Sequence, residues 1–311
     1  MQPAPLYNDV AMGPEGGAAY WRHAADGVRL RIAAWPIRGA KGTVLLFSGR
    51  TEYVEKYGQT AADLQAGGYG VITLDWRGQG LSDRLLPDAA KGHVAHFADF
   101  QQDVQALLGA AAELDMPRPY FLLAHSMGGM IGLRALVNGL DVQAATFSAP
   151  MWNIRFSATA RPVAWGLSWA SRLLGLGHIY APGTHVGSYV LATPFPGNEL
   201  TTDAESYALL QTQMRRYPQL QLSGPTLNWL FEALSEGRKL ARIPSPDLPA
   251  LTFLGSNERI VEPKAIHQRM QSWTNGRLEL IEGAEHEVLM ERPDIRQRIM
   301  QQTLALFDAH R

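Results

Sequence analysis

Short apolar runs alternate with amphipathic stretches along the first half of the chain. Residues 18–24 and 28–36 flank an Ala-Asp-Gly turn with alternating apolar and polar positions, which predicts a β-hairpin. Buried strands are predicted for the apolar runs at 43–48, 70–75, 120–124 and 142–147. Helices are predicted between them by the spacing at 54–66, 100–111 and 127–138. This alternation indicates an α/β fold, with a mostly parallel sheet covered by helices on both faces.

The pattern changes after Pro150. Residues 151–243 have helical spacing and many aromatic side chains, and the strand pattern returns after the Pro-rich segment 243–250. We therefore predict a core domain formed by residues 1–150 and 244–311, interrupted by a helical cap at 151–243.

Composition excludes several classes of function. The chain has 311 residues, of which 46% are hydrophobic and 18% charged, so a packed core is expected. Its 28 basic and 29 acidic residues give a net charge of −1, which gives no reason to expect nucleic-acid binding. Cysteine is absent, which excludes disulfides, thiolate catalysis and Cys-ligated metals. Neither a signal peptide nor a membrane-spanning run is visible, so we expect a cytoplasmic protein.

The sequence Ala124-His125-Ser126-Met127-Gly128 lies directly between a predicted strand and a predicted helix. A nucleophile on such a turn projects from the carboxyl edge of the sheet, and the neighbouring positions must be small. The alternative is a serine that only caps the helix. The strand–turn–helix context favours Ser126 as a nucleophile, with the helix amides directed at a developing oxyanion.

A serine hydroxyl needs a base, and the base needs an acid that holds it in one tautomer. In this architecture the order along the chain is serine, acid, histidine. The strand after the insertion is followed by Glu258, and the last strand is followed by His286, so these are the predicted partners. Glu262 precedes a proline and is interpreted as part of a helix start.

The other histidines are not assigned to the site. His93 and His96 have a spacing that suits a metal, but no further ligands accompany them, so no metal site is predicted. His125 is interpreted as packing, and His178, His185 and His267 as structural or solvated residues.

The oxyanion hole needs two backbone N–H groups. One is expected from Met127, and the other from Arg50 in the loop after the strand at 43–48. Two interpretations of the Arg50 side chain stay open: it meets a phosphate or carboxylate of the substrate, or it pairs with Glu52 at the surface.

Five stretches together resemble the α/β-hydrolase superfamily, within its group of L2-type lysophospholipases, monoacylglycerol lipases and serine aminopeptidase-like hydrolases. They are SGRTEYVEKY (48–57), LDWRGQGLSDR (74–84), AHSMGGMIGLRAL (124–136), LGSNERIVEP (254–263) and EGAEHEVLMER (282–292). The resemblance implies the same triad and the same two oxyanion amides. Ser48, Ala124 and Glu258 depart from the His, Gly and Asp of many relatives.

The resemblance implies a serine hydrolase for lipid-like monoesters, such as lysophospholipids or monoacylglycerols, without metal or organic cofactor. Trp152, Trp165 and Tyr189 of the cap are predicted to contact substrate, although packing among helices is the alternative. A serine peptidase and a non-catalytic ligand-binding homologue remain open, whereas Ser126 argues against dehalogenases and epoxide hydrolases. Peripheral contact with a membrane stays open, and the oligomeric state is not predicted.

Overall fold

The computed structural model describes residues 1–184 and 187–311, and the strands of this part form one nine-stranded sheet. The strands are β1 (Gln2–Ala4), β2 (Ala18–His23), β3 (Arg29–Trp35), β4 (Thr43–Phe47), β5 (Gly70–Leu74), β6 (Tyr120–His125), β7 (Ala145–Ser148), β8 (Ala250–Gly255) and β9 (Gly276–Ile281). Their order across the sheet is β1-β2-β3-β5-β4-β6-β7-β8-β9.

The sheet is antiparallel at one edge and parallel elsewhere. Strands β2 and β3 form the predicted hairpin, with β1 added at its edge, and β3 pairs antiparallel with β5. The strands from β5 to β9 are parallel to one another. Parallel strands end at the same edge, so the loops that follow β4, β6, β8 and β9 are brought together there.

The described helices are α1 (Asn8–Ala11), α2 (Gly58–Ala66), α3 (Phe100–Glu113), α4 (Met127–Val137), α5 (Ala160–Leu173), α6 (Tyr189–Ala192), α7 (Ala204–Arg216), α8 (Leu227–Leu240), α9 (Pro263–Gln271) and α10 (Pro293–Ala309). None of them is long and apolar enough to cross a bilayer.

Alternating side chains of β4 show how the sheet is covered. Leu45 and Phe47 pack with the apolar residues of α3 and α4, whereas Val44 and Leu46 pack with those of α2 and α10. The central strands are apolar on both faces because helices cover both of them. This confirms the predicted fold class, an α/β-hydrolase fold.

The segment 151–243 runs between β7 and β8 and contains α5 to α8, without a strand among its described residues. It is tied to the sheet domain by Arg84, whose Nη2 donates to the carbonyl oxygens of Gln219 and Gln221 at 2.9 and 3.2 Å. His185, which sequence analysis interpreted as structural or solvated, lies outside the described residues.

Candidate active site

Ser126 occupies the turn between β6 and α4 with a backbone φ of 50° and ψ of −118°. This left-handed conformation is rare for residues other than glycine and marks a strained turn. Gly128 allows α4 to approach β4, because a Cβ atom there would lie 2.6 Å from the carbonyl oxygen of Ser48. The turn therefore holds the Ser126 hydroxyl at the carboxyl edge of the sheet.

Ser126, His286 and Glu258 form a continuous chain of hydrogen bonds. The Nε2 atom of His286 lies 2.9 Å from the Ser126 Oγ, and its Nδ1 lies 2.6 Å from Oε2 of Glu258. With Nδ1–H donating to the carboxylate, Nε2 is left to accept the hydroxyl proton. The structure thus brings together the three side chains that the sequence singled out, all of them buried.

The surroundings set the charges of this chain. Burial opposes the charge of Glu258, but His286 and the amides of Ile260 and Val261 outweigh it and hold the Glu258 pKa below its ordinary value. Burial also opposes a charged His286, yet the carboxylates of Glu258, Glu287 and Glu52 raise its pKa above the ordinary value. An imidazolium formed during a reaction would therefore be stabilised.

The loop after β4 is held in place from several sides. Trp76 Nε1 donates to the Ser48 carbonyl oxygen at 2.9 Å, and Gln79 Nε2 donates to the carbonyls of Gly49 and Glu52 at 2.8 and 3.0 Å. The backbone amides of Arg50 and Met127 have no acceptor among the described residues. Two fixed N–H groups without acceptors are what an oxyanion hole needs.

A buried group of ionisable residues, the Glu52–Lys56–His125–Glu287 cluster, lies beside Ser126 and His286. Lys56 Nζ pairs with Glu287 Oε1 at 2.6 Å and with Glu52, whose carboxylate also accepts from the Gly49 amide. His125 Nε2 lies 3.2 Å from Glu287 Oε2, and its ring centroid is 4.9 Å from that of His286. The cluster therefore joins the loop after β4, the serine turn and the histidine loop.

Sequence analysis missed this cluster. His125 was interpreted as packing, and Glu287 was not assigned to the site. The only signal was the spacing of Glu52 and Lys56 at i and i+4, which is common on solvent-exposed helices. Nothing in the linear pattern indicated that these charges are buried.

In the described part of the chain, Glu52, His125 and Glu287 are the one group of carboxylate and imidazole side chains close enough together to suit a metal ion. Lys56 already pairs with both carboxylates, so it supplies the cation at this position. His93 and His96, the pair considered from sequence as metal ligands, have separate partners: His93 contacts Thr226, and His96 faces Glu232.

A cavity of about 520 Å³ opens onto Ser126 and His286. Tyr189 and Trp229 of the insertion line it, together with aliphatic side chains such as Leu210 and Leu222. The predicted contact residue Tyr189 is therefore at the site. An amphiphilic substrate would find apolar walls here, with the Ser126 hydroxyl at one side.

Trp152 and Trp165, which were also predicted to contact substrate, lie away from the cavity beside Ser126. Both line a separate cavity that contains neither Ser126 nor His286. The Trp152 ring packs against Phe147 and Trp273, and Trp165 packs edge-on against Phe231. Trp165 thus packs between α5 and α8, and Trp152 packs beside β7, which is the packing alternative considered from sequence.

The chain is similar to known hydrolases over most of its length. The family model described as serine aminopeptidase, S33, matches residues 38–293. Lysophospholipase L2 of Escherichia coli is 31% identical over 301 residues, which cover 92% of this chain and 86% of that protein. A soluble variant of monoglyceride lipase from Saccharomyces cerevisiae has a similar fold, with a TM-score of 0.74, 20% identity and 94% of each chain covered. The monoacylglycerol lipase of Paleococcus ferrophilus superposes with a TM-score of 0.68 at 18% identity, covering 91% of this chain and 99% of that one.

Proposed function

The chain belongs to the serine aminopeptidase S33 family of α/β-hydrolases, and on that premise we propose that it cleaves lipid-like carboxylic monoesters through an acyl-enzyme on Ser126. The observation that carries this proposal is the unbroken chain of hydrogen bonds from the Ser126 hydroxyl through His286 to Glu258. An ester hydrolase with a nucleophile, a base and an orienting acid in this arrangement needs only water as its second substrate.

In the proposed mechanism, His286 Nε2 takes the hydroxyl proton as the Ser126 Oγ attacks the ester carbonyl carbon. The amides of Arg50 and Met127 stabilise the negative charge on the carbonyl oxygen. His286 then returns the proton to the leaving alcohol, and the C–O ester bond breaks. Water repeats the sequence on the acyl-enzyme and releases the acid. One oxyanion donor in such a site is worth about 3 kcal/mol of transition-state stabilisation.

Two observations support lipid-like monoesters as the substrates. The cavity walls carry aliphatic and aromatic side chains that would hold an acyl chain. The relative from Escherichia coli is named a lysophospholipase, and it aligns over most of both chains. We propose that residues 151–243 act as the cap that forms much of this wall.

A peptidase is less well supported. An aminopeptidase-like enzyme needs a carboxylate for the substrate amine, and the acids that line the cavity already have cations. Glu52 and Glu287 pair with Lys56 at short range, and Glu199 faces Arg259 at 3.9 Å. A substrate amine would have to displace one of these partners.

We also propose contact with a lipid surface through α5 and the segment after it. Large apolar side chains stand exposed there, namely Val163, Leu167, Trp169, Leu173, Leu174, Leu176 and Ile179. An exposed apolar patch of this kind on a lipid hydrolase suits the interface in which its substrates reside. A cytoplasmic location stays a prediction.

The test of the proposed function compares wild type with Ser126→Ala in a short-chain aryl-ester assay and in labelling by a fluorophosphonate. Wild type is expected to hydrolyse the ester and to be labelled, whereas the variant does neither. Ester hydrolysis that survives Ser126→Ala would eliminate the assignment. A panel of lysophospholipids, monoacylglycerols and aminoacyl amides then distinguishes the substrate classes.

A further inference from the structure

The Arg50 side chain occupies an unusual position in the Ser126 cavity. Its Nη2 donates to the Ser223 carbonyl oxygen at 2.6 Å, and its guanidinium carbon lies 5.2 Å from the centre of the Trp229 ring. Gly92 makes room for it, because a Cβ atom at that position would meet Nη2 at 2.5 Å. The guanidinium is thus held between the sheet domain and the insertion, at the wall of the cavity.

No carboxylate balances this cation within the described chain. Arg50 forms no ion pair there, Glu52 being engaged by Lys56 and the Gly49 amide instead. Burial is the only influence on its charge and lowers the Arg50 pKa to about 10. Arg50 therefore remains a cation at neutral pH, and the surface pairing with Glu52 considered from sequence does not occur.

Most of its donors are unused. An arginine offers five N–H groups, and among the described residues only Nη2 has an acceptor. Nε is buried and has no acceptor. Nη1 also lacks an acceptor among the described residues, but it is not fully buried. An anion in the cavity would accept a charge-assisted hydrogen bond from Nη1–H, and phosphate oxygens suit such a donor.

The other basic side chains at the cavity wall already have acidic partners. Lys56 pairs with Glu52 and Glu287, and His286 contacts Glu258. Arg50 is therefore the cation that the described residues leave available to a substrate. Arg50 lies in the loop after β4, and its own backbone amide is proposed to face the oxyanion. Its side chain therefore begins beside the reacting ester.

We propose that the Arg50 guanidinium binds the phosphate of a lysophospholipid, and so selects phosphate-bearing monoesters over neutral monoacylglycerols. This inference rests on the proposed function, because it needs Ser126 to act on a lipid monoester. In a lysophospholipid the phosphate belongs to the leaving alcohol, only a few bonds from the scissile ester. Ester and phosphate can then meet the Arg50 amide and the Arg50 guanidinium together.

The test measures a ratio rather than one activity, since the Arg50 amide also belongs to the proposed oxyanion hole. The kcat/KM for a short-chain lysophosphatidylethanolamine is divided by that for the monoacylglycerol with the same acyl chain, both below micelle formation. Arg50→Met is expected to lower this ratio about tenfold to a hundredfold, because the phosphate loses a charge-assisted hydrogen bond. The effect should appear chiefly as a higher KM for the lysophospholipid. Arg50→Lys keeps the charge without the planar fork and should lower it less.

Arg84→Met is the matched control. Arg84 also donates to carbonyls of the insertion, but it does not line the cavity. Its loss should leave the ratio unchanged even if both activities fall.

An unchanged ratio in Arg50→Met would overturn the proposal and make the side chain a clamp on Ser223. Wild type that hydrolyses monoacylglycerols but not lysophospholipids would overturn it too, while leaving the serine hydrolase intact. Wild type without esterase activity would instead reject the proposed function itself.

Discussion

His125 Nε2 lies 3.2 Å from Oε2 of Glu287, so the residue before Ser126 contacts a carboxylate that also lines the cavity. Its other ring nitrogen, Nδ1, lies 3.0 Å from the carbonyl oxygen of Ser148. Glu52 also faces Nε2, at 3.5 Å. A lone pair on Nε2 would point at two carboxylates and be repelled, so Nε2 should carry a proton directed at them. The Ser148 hydroxyl oxygen also lies 3.0 Å from Nδ1. The residue before Ser126 thus places a buried N–H group beside the two carboxylates of the cluster.

The first prediction concerns this buried contact. Replacing His125 by Leu should lower the free energy of unfolding by about 3 kcal/mol, because Glu287 and Glu52 then lose a buried N–H group that faces them. Urea unfolding at neutral pH measures the effect. The exposed His267 on α9 is the control, and His267→Leu should change stability by less than about 0.5 kcal/mol.

Histidine ¹⁵N spectra test the position of this proton directly. We expect His125 to carry a proton on Nε2. A spectrum in which Nε2 is unprotonated would contradict the assignment, whatever the stability of the variant.

The second prediction distinguishes Glu258, the proposed orienting acid, from the nearby Glu262. Glu258→Gln should lower kcat on an aryl ester by about 10³ to 10⁴, because an amide cannot hold the same tautomer or stabilise the imidazolium. Glu262→Gln is the matched control, since Glu262 pairs with Arg161 at 2.6 Å and does not contact His286. Equal losses in the two variants would reject Glu258 as the acid.

The third prediction is a shift in pH dependence. His286 must be neutral to accept a proton, so kcat/KM falls as the pH drops through its pKa. Burial lowers this pKa, and Glu258, Glu287 and Glu52 raise it by more, so the acidic limb should lie above the ordinary histidine pKa of about 6.5. Glu287→Gln removes one raising charge, and the limb should move to lower pH.

A matched variant tests this interpretation. Glu285→Gln alters the same loop, but Glu285 pairs with Arg259 and should leave the limb in place. A limb that stays fixed in Glu287→Gln, or moves equally in Glu285→Gln, would refute the electrostatic coupling.

The sheet and the site differ in how far sequence reveals them. Strands β4, β5 and β6 were predictable because their apolar runs are local, and the order of serine, acid and histidine follows from the loops after parallel strands. β1 was missed because Gln2–Ala4 is a three-residue edge strand whose pairing depends on β2. β7 begins at Ala145, three residues later than the predicted run from Val142.

Side-chain partners were harder to predict than strands. Glu52, Lys56 and Glu287 look like surface charges in sequence, and only the meeting of three loops buries them. Trp152 and Trp165 illustrate the opposite case. The sequence predicts that they contact substrate, whereas the structure places them in packing contacts away from the Ser126 cavity.

The last prediction addresses the lipid surface. Trp169→Asp in the exposed patch of α5 should weaken binding to phospholipid vesicles, because it removes an interfacial aromatic side chain and adds a charge that resists burial among lipids. Trp169 is 56% exposed and lies away from the Ser126 cavity, so hydrolysis of a soluble aryl ester should change little. Leu280 on β9 is 51% exposed and serves as the control, since Leu280→Asp adds the same charge to an apolar position outside the patch. Vesicle sedimentation measures binding, and hydrolysis of vesicle-borne substrate should fall with it. Equal binding by the two variants would show that apolar exposure at α5 has no special part in reaching the lipid.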